Sequence, residues 1–423
     1  MPRLMGKLGS RRVLRRQAAL DVVMMSILIM VSGNPAALSI GLEVAYVSIF
    51  LLFIVYWKLR NVSLKLNKLH LAFLTSIVFV IFIQYIVFGD MVVKSALGFL
   101  VRLLIAVLAA RVIRNFHMVF ANVMVWIAAL GVGIHSLHLL GVDIVALLSP
   151  IQVPLDTDIR DSFGIHTVIP GVEHRNCGMF WEPGAFAGYI VVSLFLIVVG
   201  ERSKSSWWKV LILLLADITT LSTTGYVVGF VVFLYWVYLI LGNQQNLYRY
   251  TIFPLVLIGG LWGGWYAFQT LPFLQEKIQD RVDSTSAKAE GSEINRFGNF
   301  VYDLSFIAKR PIFGWGTTPY TKLEEDPYAV EAAEGQGNGL SGFYVKFGVV
   351  IGSMYFYLVF RSLAYLIPRK SERLLGIAVM AMALFGEQFL NYPLFLAFAF
   401  AYGVGGYKKR RRRRKRKALL ASS

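Results

Sequence analysis

His174-Arg175-Asn176-Cys177-Gly178-Met179-Phe180-Trp181-Glu182-Pro183-Gly184 closes a long polar stretch and runs straight into the apolar residues 185–199. An apolar run of that kind reads as a membrane span, so an arginine, a carboxylate and a helix start meet at a bilayer surface. A chain of mostly apolar helices has little reason to keep such a cluster beside lipid unless something charged binds there.

The whole chain agrees with that reading. Its 423 residues are 57% hydrophobic and 16% charged, with a mean hydropathy of +0.62, which places it among polytopic membrane proteins. The net charge of +18 sits almost entirely in two tails: an unbroken run of ten basic residues at 408–417, and Arg3, Lys7, Arg11, Arg12, Arg15 and Arg16. Basic tails beside apolar spans mark cytoplasmic ends and draw anionic lipid by about 1 kcal/mol per residue. No base-reading module accompanies the charge, so nucleic acid is not an expected partner, whereas membrane lipid is. The single cysteine, Cys177, excludes an internal disulfide, and without His/Cys ligand spacing around it the residue reads as a small packing group. The basic, then apolar, N-terminus lacks a small-residue cleavage site and is expected to be a first span rather than a removable signal.

The expected fold is an all-α polytopic membrane protein with about twelve transmembrane helices. Its apolar runs lie at 18–31, 36–56, 70–88, 92–111, 118–142, 183–200, 207–219, 222–241, 252–268, 340–360, 374–389 and 392–407. The division is a basic cytoplasmic N-terminus (1–17), helices over 18–142, a first long loop (143–180), helices over 181–268, a second long loop (269–339), helices over 340–407 and a basic cytoplasmic tail (408–423). With the N-terminus inside, the connectors 58–68, 111–117, 201–209 and 361–373 bring Lys and Arg to the cytoplasm, while both long loops fall outside it. The turn at 31–35 and the short run at 207–219 are the weak points, since losing either pass would invert every later loop. The two loops are too long for passive turns, so function is expected there. No internal repeat is visible, which counts against a transporter built from paired halves.

Candidate site residues follow from this layout. In the first loop, Arg160, His174 and Arg175 precede Glu182, which faces the positive end of the helix begun by Pro183; Glu182 reads either as a simple helix-end acid or as half of a site with Arg175. The second loop holds two amphipathic segments, 273–283 with Arg281 and 293–310 with Arg296, the latter capped by Ser292 and ended by Pro311. Arg296, Asn299 and Asp303 share one face there, either as a surface ion network or with Arg296 turned from lipid toward a cleft. Glu43, Lys94, Arg102, Asp217, Lys346 and Glu387 all fall inside apolar runs, where each costs about 2.5–3.5 kcal/mol at a helix centre and should face a wet or paired interior. Arg102 could pair with Glu43 or Asp217, or floor an anion site. The hydroxyl run from Asp217 to Tyr226 could bind sugar or phosphate, or satisfy backbone in a broken helix pair. Several arginines around one cavity suit phosphate or diphosphate, which guanidinium forks grip at about 1.5–3 kcal/mol per hydrogen bond.

At these residues the chain resembles the O-antigen polymerase and ligase superfamily, bacterial inner-membrane glycosyltransferases that use polyprenyl-diphosphate-linked sugars. The resemblance rests on four separated blocks. They are Arg175, Gly178, Phe180, Glu182, Pro183 and Gly184; then Leu221-Ser222-Thr223-Thr224-Gly225; then Arg296 with Arg310-Pro311-Ile312-Phe313-Gly314-Trp315-Gly316; and last Ser341-Gly342-Phe343 with Gly348 and Gly352. It implies a GT-C-like fold in the bacterial inner (cytoplasmic) membrane, an active site on the extracytoplasmic face and metal-independent transfer without a cofactor. The implied partners are a polyprenyl-diphosphate-linked oligosaccharide and a chain-length-regulating protein.

Arg175 and Arg296 are then expected to stabilise the leaving diphosphate, supported by Arg102, Arg160, Arg281 or Lys346, and Glu182 or His174 to accept the acceptor's proton. Ligases of the superfamily carry a histidine in the large outer loop. Residues 269–339 contain none, which points to the polymerase branch. A ligase moving finished polymer to an acceptor, and a transporter of lipid-linked sugars, are the alternatives.

Overall fold

The computed structural model describes residues 2–36, 41–142, 147, 159–161, 164–202, 206–241, 254–255, 258–259, 262, 296–322 and 338–401. The first half of the first loop, the segment 273–283 with Arg281, most of the run at 252–268 and the basic tail therefore lie wholly or largely outside the described residues.

The described chain is a helical bundle. Its helices are α1 (Pro2–Gly33), α2 (Leu42–Arg60), α3 (Lys68–Phe88), α4 (Val93–Val112), α5 (Phe116–Leu139), α6 (Pro183–Glu201), α7 (Trp207–Thr219), α8 (Thr223–Leu241), α9 (Arg296–Lys309), α10 (Gly339–Leu363), α11 (Lys370–Gly386) and the short α12 (Pro393–Ala397). Five helical stretches among the described residues are long and apolar enough to cross a membrane. One of them, Lys68–Val112, is a hairpin of α3 and α4 bent at Gly89, whose φ of 63° suits a residue without a Cβ. Arg111 at the end of α4 meets His70 at the start of α3 at 2.7 Å, which fixes the two legs antiparallel. The only strands among the described residues, β1 (Arg160–Asp161) and β2 (Thr167–Val168), pair antiparallel in the first loop, Arg160 opposite Val168.

Cross-links at both ends show that the helices alternate in direction. At one end Arg202 at the end of α6 pairs with Glu372 at the start of α11, and His117 at the start of α5 bonds Ser362 near the end of α10 at 2.9 Å. These are the ends that carry the basic connectors. At the opposite end the Trp181 N–H donates to Gly33 O at 3.1 Å, and Asn34 reaches Asp161 and Met179 O at 3.2 and 2.6 Å. The turn at 31–35 is thus tied to the first loop.

Helix α6 is the centre of the bundle. It packs against α5, α7, α8 and α11, and 89% of its apolar window is buried. Its small residues Gly184, Ala185, Ala187 and Gly188 let neighbours approach closely, as expected where lipid offers no hydrophobic drive between helices. At Gly188 the ring of Phe389 occupies the space a Cβ would need. Tyr189 gathers Phe180, Phe389 and Phe395 at centroid distances of 4.4, 5.1 and 5.1 Å, and its hydroxyl donates to Ser32 O at 2.5 Å. Such ring pairs contribute about 0.5–1.5 kcal/mol each beyond buried area.

Helix α10 is broken at Gly348, where φ is 80° and ψ 170°. The break exposes carbonyls that lipid cannot satisfy, and the strap of residues 311–316 supplies the donors. Trp315 N and Gly316 N donate to Val345 O and Lys346 O at 2.8 and 3.1 Å, and Val349 N donates to Pro311 O at 2.7 Å. From α3, the Gln84 amide donates to Phe313 O and Lys346 O at 2.5 and 2.7 Å. The third and fourth sequence blocks are therefore two sides of one structural joint.

Candidate functional site

Glu182 sits in extended backbone as the N-cap of α6, ahead of Pro183, yet its side chain makes no cap hydrogen bond. It faces Arg296 at the start of α9 instead: Arg296 Nη2 donates to Glu182 Oε1 at 2.7 Å and also to Glu387 Oε1. Side-chain exposures of 17% for Arg296, 24% for Glu182 and 9% for Glu387 place the triad largely out of water. Gly184 makes room for it, since a Cβ there would meet all three side chains. Sequence reading put Glu387 inside a span; in the structure α11 ends at Gly386 and Glu387 opens the turn that leads to α12.

Two carboxyls on one guanidinium cannot both ionise freely, since each disfavours the other's charge. Burial alone would raise Glu182, but a hydrogen bond from Glu387 and the charges of Arg296 and Arg175 outweigh it and hold its carboxyl below the usual range. Burial and the adjacent Glu182 charge push Glu387 well up, against Arg296. The two carboxyls on this one guanidinium are thus shifted in opposite directions, Glu182 down and Glu387 up.

Arg175 does not bond Glu182 directly. Its guanidinium donates to Thr220 O and Leu221 O at 3.1 and 3.3 Å, so it joins the first sequence block to the second, with Glu182 and Arg296 close enough for their charges to be felt. Asn176 strengthens the joint through Thr219, at 2.9 Å from both its backbone and its side-chain nitrogen. The hydroxyls in this turn are used locally: Thr219 donates to Ala216 O and Thr220 to Asp217 O, which supports their backbone-satisfying role between α7 and α8.

Helix α9 turns its polar face inward. Asn299 and Asp303 are 3% and 8% exposed, against 51% and 46% for Val301 and Leu304. The Arg296–Asp303 surface network considered from the sequence is not formed: Asp303 accepts from Ser341 at 2.6 Å and faces Lys322 at 3.8 Å. Burial pushes the Asp303 carboxyl up, opposed by Lys322 and Ser341, and pulls the Lys322 amine down, opposed by Asp303. These side chains border a polar cavity of about 240 Å³, lined also by Asn338, Lys346, Gln388 and Asn391. Lys346 donates to Asn391 Oδ1 at 2.7 Å, and Arg102 donates to Asn391 O at 2.8 Å and Gly98 O at 3.0 Å. The pairings considered for Arg102 are thus replaced: Glu43 meets Lys94 at 3.1 Å in an exposed pair, and Asp217 packs against Gly225 and Gly229.

The remaining predicted residues fall elsewhere. His174 is exposed and lies beside His135, in a group with His138 and His166, apart from the Glu182 triad. Arg160 is held in β1 near Glu173, and Arg281 lies outside the described residues. Lys322, Asn338, Gln388 and Asn391 escaped sequence reading; their signal is only that they interrupt or flank apolar runs. No group of three or more His, Cys, Asp or Glu among the described residues is arranged to hold a metal. The sequence does carry one Asp-x-Asp pair, Asp156 and Asp158, which lies outside the described residues.

Comparison of the chain with models of known protein families gives no match, and comparison with curated proteins gives no significant one.

Proposed function

We propose that this protein is a glycosyltransferase of the bacterial inner membrane, with about twelve spans, that polymerises polyprenyl-diphosphate-linked oligosaccharide repeat units into a surface polysaccharide. The Arg296–Glu182–Glu387 triad beside a polar cavity, at the bundle end away from the basic connectors, carries the reading. The positive-inside rule supports an extracytoplasmic position for that end.

The chemistry needs few parts. An acceptor hydroxyl oxygen bonds the anomeric carbon of the donor, the bond from that carbon to the phosphate oxygen breaks, and the diphosphate leaves with the electron pair. Glu182, held by Arg296, takes the hydroxyl proton, a role for a base within hydrogen-bond reach. Preorganised cations at the cavity meet the charge that develops on the leaving group, where low polarity strengthens their effect. The amides of Asn338, Gln388 and Asn391 offer donors and acceptors to sugar hydroxyls.

The test is reconstitution of the purified protein with a polyprenyl-diphosphate repeat unit and separation of the products by gel. A ladder of increasing length that vanishes in Glu182→Gln supports the polymerase. Unchanged substrate, with transfer only when a separate acceptor is supplied, would make it a ligase instead.

A further inference from the structure

Four of the six histidines meet in one place, away from the Glu182 triad. His135 and His138 lie near the end of α5, while His166 and His174 come from the first loop that packs on it. The rings of His135 and His166 stand 6.4 Å apart between centroids, and both residues are 2% exposed. His135 bonds the backbone of His174, yet its Nδ1 has no hydrogen-bond partner, and neither has Nδ1 of His166.

The cluster lies on the seam that holds the first loop to the bundle. His166 is followed by Thr167, whose backbone N–H donates to Gly178 O at 2.7 Å. Gly178 in turn packs on Gly131, one turn before His135 on α5, where an added Cβ would stand 3.3 Å from the Gly178 Cα. His174 precedes Arg175, which crosses to Thr220 O and Leu221 O. The short stretch 166–178 therefore carries two histidines of the cluster, the contact with α5 and the arginine of the first sequence block.

Two acids among the described residues lie near the rings, and neither accepts a hydrogen bond from them. Asp161 is taken up by Asn34, Thr167 Oγ1 and Gly164 N at 3.2, 3.0 and 3.1 Å. Glu173 is exposed, with Arg160 and His138 close enough for their charges to be felt. Asp143, Asp156 and Asp158 of the same loop lie outside the described residues. A neutral imidazole can leave one nitrogen bare as a lone pair, whereas a protonated one carries a donor on both nitrogens. At each buried ring the added N–H would face no acceptor, whatever the balance of charge farther out. Burial, with the charges of His135 and His138, accordingly pulls the His166 imidazole down to about 4 from its usual 6.5. A loop lifted from α5 returns the ring to water and to ordinary basicity, so the open form takes up protons first. Closure is complete above the open-state value and weakens as pH falls toward the closed-state one.

We infer that the His135–His166 seam is a pH-sensitive latch, which holds the first loop on α5 while both rings are neutral and releases residues 166–178 when they take up protons. Release frees Arg175 from the turn between α7 and α8 and Cys177 from its packed position. The latch is independent of the proposed glycan transfer, and its opening is read without any activity.

Cys177, the only thiol in the chain, is 1% exposed and lies within the released stretch. The full chain in detergent is treated with 4,4′-dithiodipyridine, a disulfide that thiols attack even in acid, and each rate is divided by that of glutathione at the same pH. Cys177 is expected to be protected at pH 7.5 and to label about tenfold or more faster on that scale at pH 5, the gain in open population that proton uptake by one such ring provides. His135→Gln and His166→Gln keep a polar amide that does not titrate, and each should flatten the rise. Hydrogen exchange of the wild type, corrected for its intrinsic pH dependence, locates the opening without a variant. Acceleration at pH 5 is expected in 164–178 and the end of α5, with α6 and α10 unchanged.

Cys177 labelling that stays flat from pH 7.5 to 5 in the wild type overturns the latch. A rise that both glutamine variants retain does the same, since other groups would then drive it. Exchange that speeds up throughout the bundle is global acid unfolding and also overturns it. Where a variant is labelled already at pH 7.5, the pattern of wild-type exchange decides.

Discussion

Arg296 and Glu182 lie 114 residues apart in the chain and 2.7 Å apart in space. The contact closes α9 onto the start of α6, the most buried helix of the bundle, and so fixes where the second long connection sits relative to the first. Breaking a buried pair by removing one partner costs about 3–5 kcal/mol. Arg296→Ala is accordingly expected to lower the melting temperature in detergent and to abolish polymer. A variant with unchanged melting behaviour would mean the triad does not hold the two connections together.

Glu182 and Glu387 share that guanidinium but are shifted in opposite directions, which separates their isosteric variants. Glu387→Gln keeps a donor toward Glu182 and an acceptor for Arg296, so near-normal activity and stability are expected. Glu182→Gln removes the proposed base and should leave the protein folded and inactive. Activity measurements on both variants, beside melting curves, decide this, and equal loss in the two would refute distinct roles.

The same pair predicts opposite pH effects on stability. Glu387 is raised in the folded state, so its contribution is complete below its unfolded value and is lost as pH rises through the folded one. Glu182 is lowered, so its contribution is present above its unfolded value, near 4.3 for a free glutamate, and is lost only as pH falls through the folded one. Loss of the Glu387 contribution should therefore lower the melting temperature as pH rises above the unfolded glutamate value, and Glu387→Gln should flatten that fall. A pH scan of thermal unfolding measures both.

Gly348 sits in backbone that side chains avoid, and a Cβ there would also collide with Ile312 O. Gly348→Ala is expected to cost about 1–3 kcal/mol from conformation alone, and more from displacing the strap. Gly133→Ala, which meets nothing within 4 Å in ordinary helix, should be neutral or slightly stabilising. Gln84→Leu should cost about 1–3 kcal/mol by taking the donor from Phe313 O, while Lys346 O keeps the one from Gly316 N. Detergent melts of the three variants rank them.

Cys177 is 1% exposed, and burial, with the nearby Glu182 charge adding and Arg175 opposing, pushes its thiol up to about 12. No maleimide labelling is expected in the folded protein at pH 8, with full labelling after denaturation in detergent. Cys177→Ala should remain active. Rapid labelling of the native protein would contradict the packing role that its isolation in the sequence suggested.

Composition and hydropathy alone determined that the chain is helical and membrane-embedded, because runs of apolar residues near bilayer length have few other folded solutions. They also marked Glu182, Arg175 and Arg296, since charge beside a span is costly enough to be conspicuous. The partners of those charges were not legible. Arg296 could not be assigned to Glu182 and Glu387 in place of Asp303, because local helix spacing makes Asp303 its natural neighbour and only the docking of α9 on α6 overrides it. Lys346 and Arg102 read as isolated intramembrane cations until the turn at Asn391 brought them together. The break at Gly348 and the strap that satisfies it depend on backbone carbonyls, and those are the same in every sequence. Only the tertiary structure decides which carbonyls lose their helix partners and which donors are near enough to replace them.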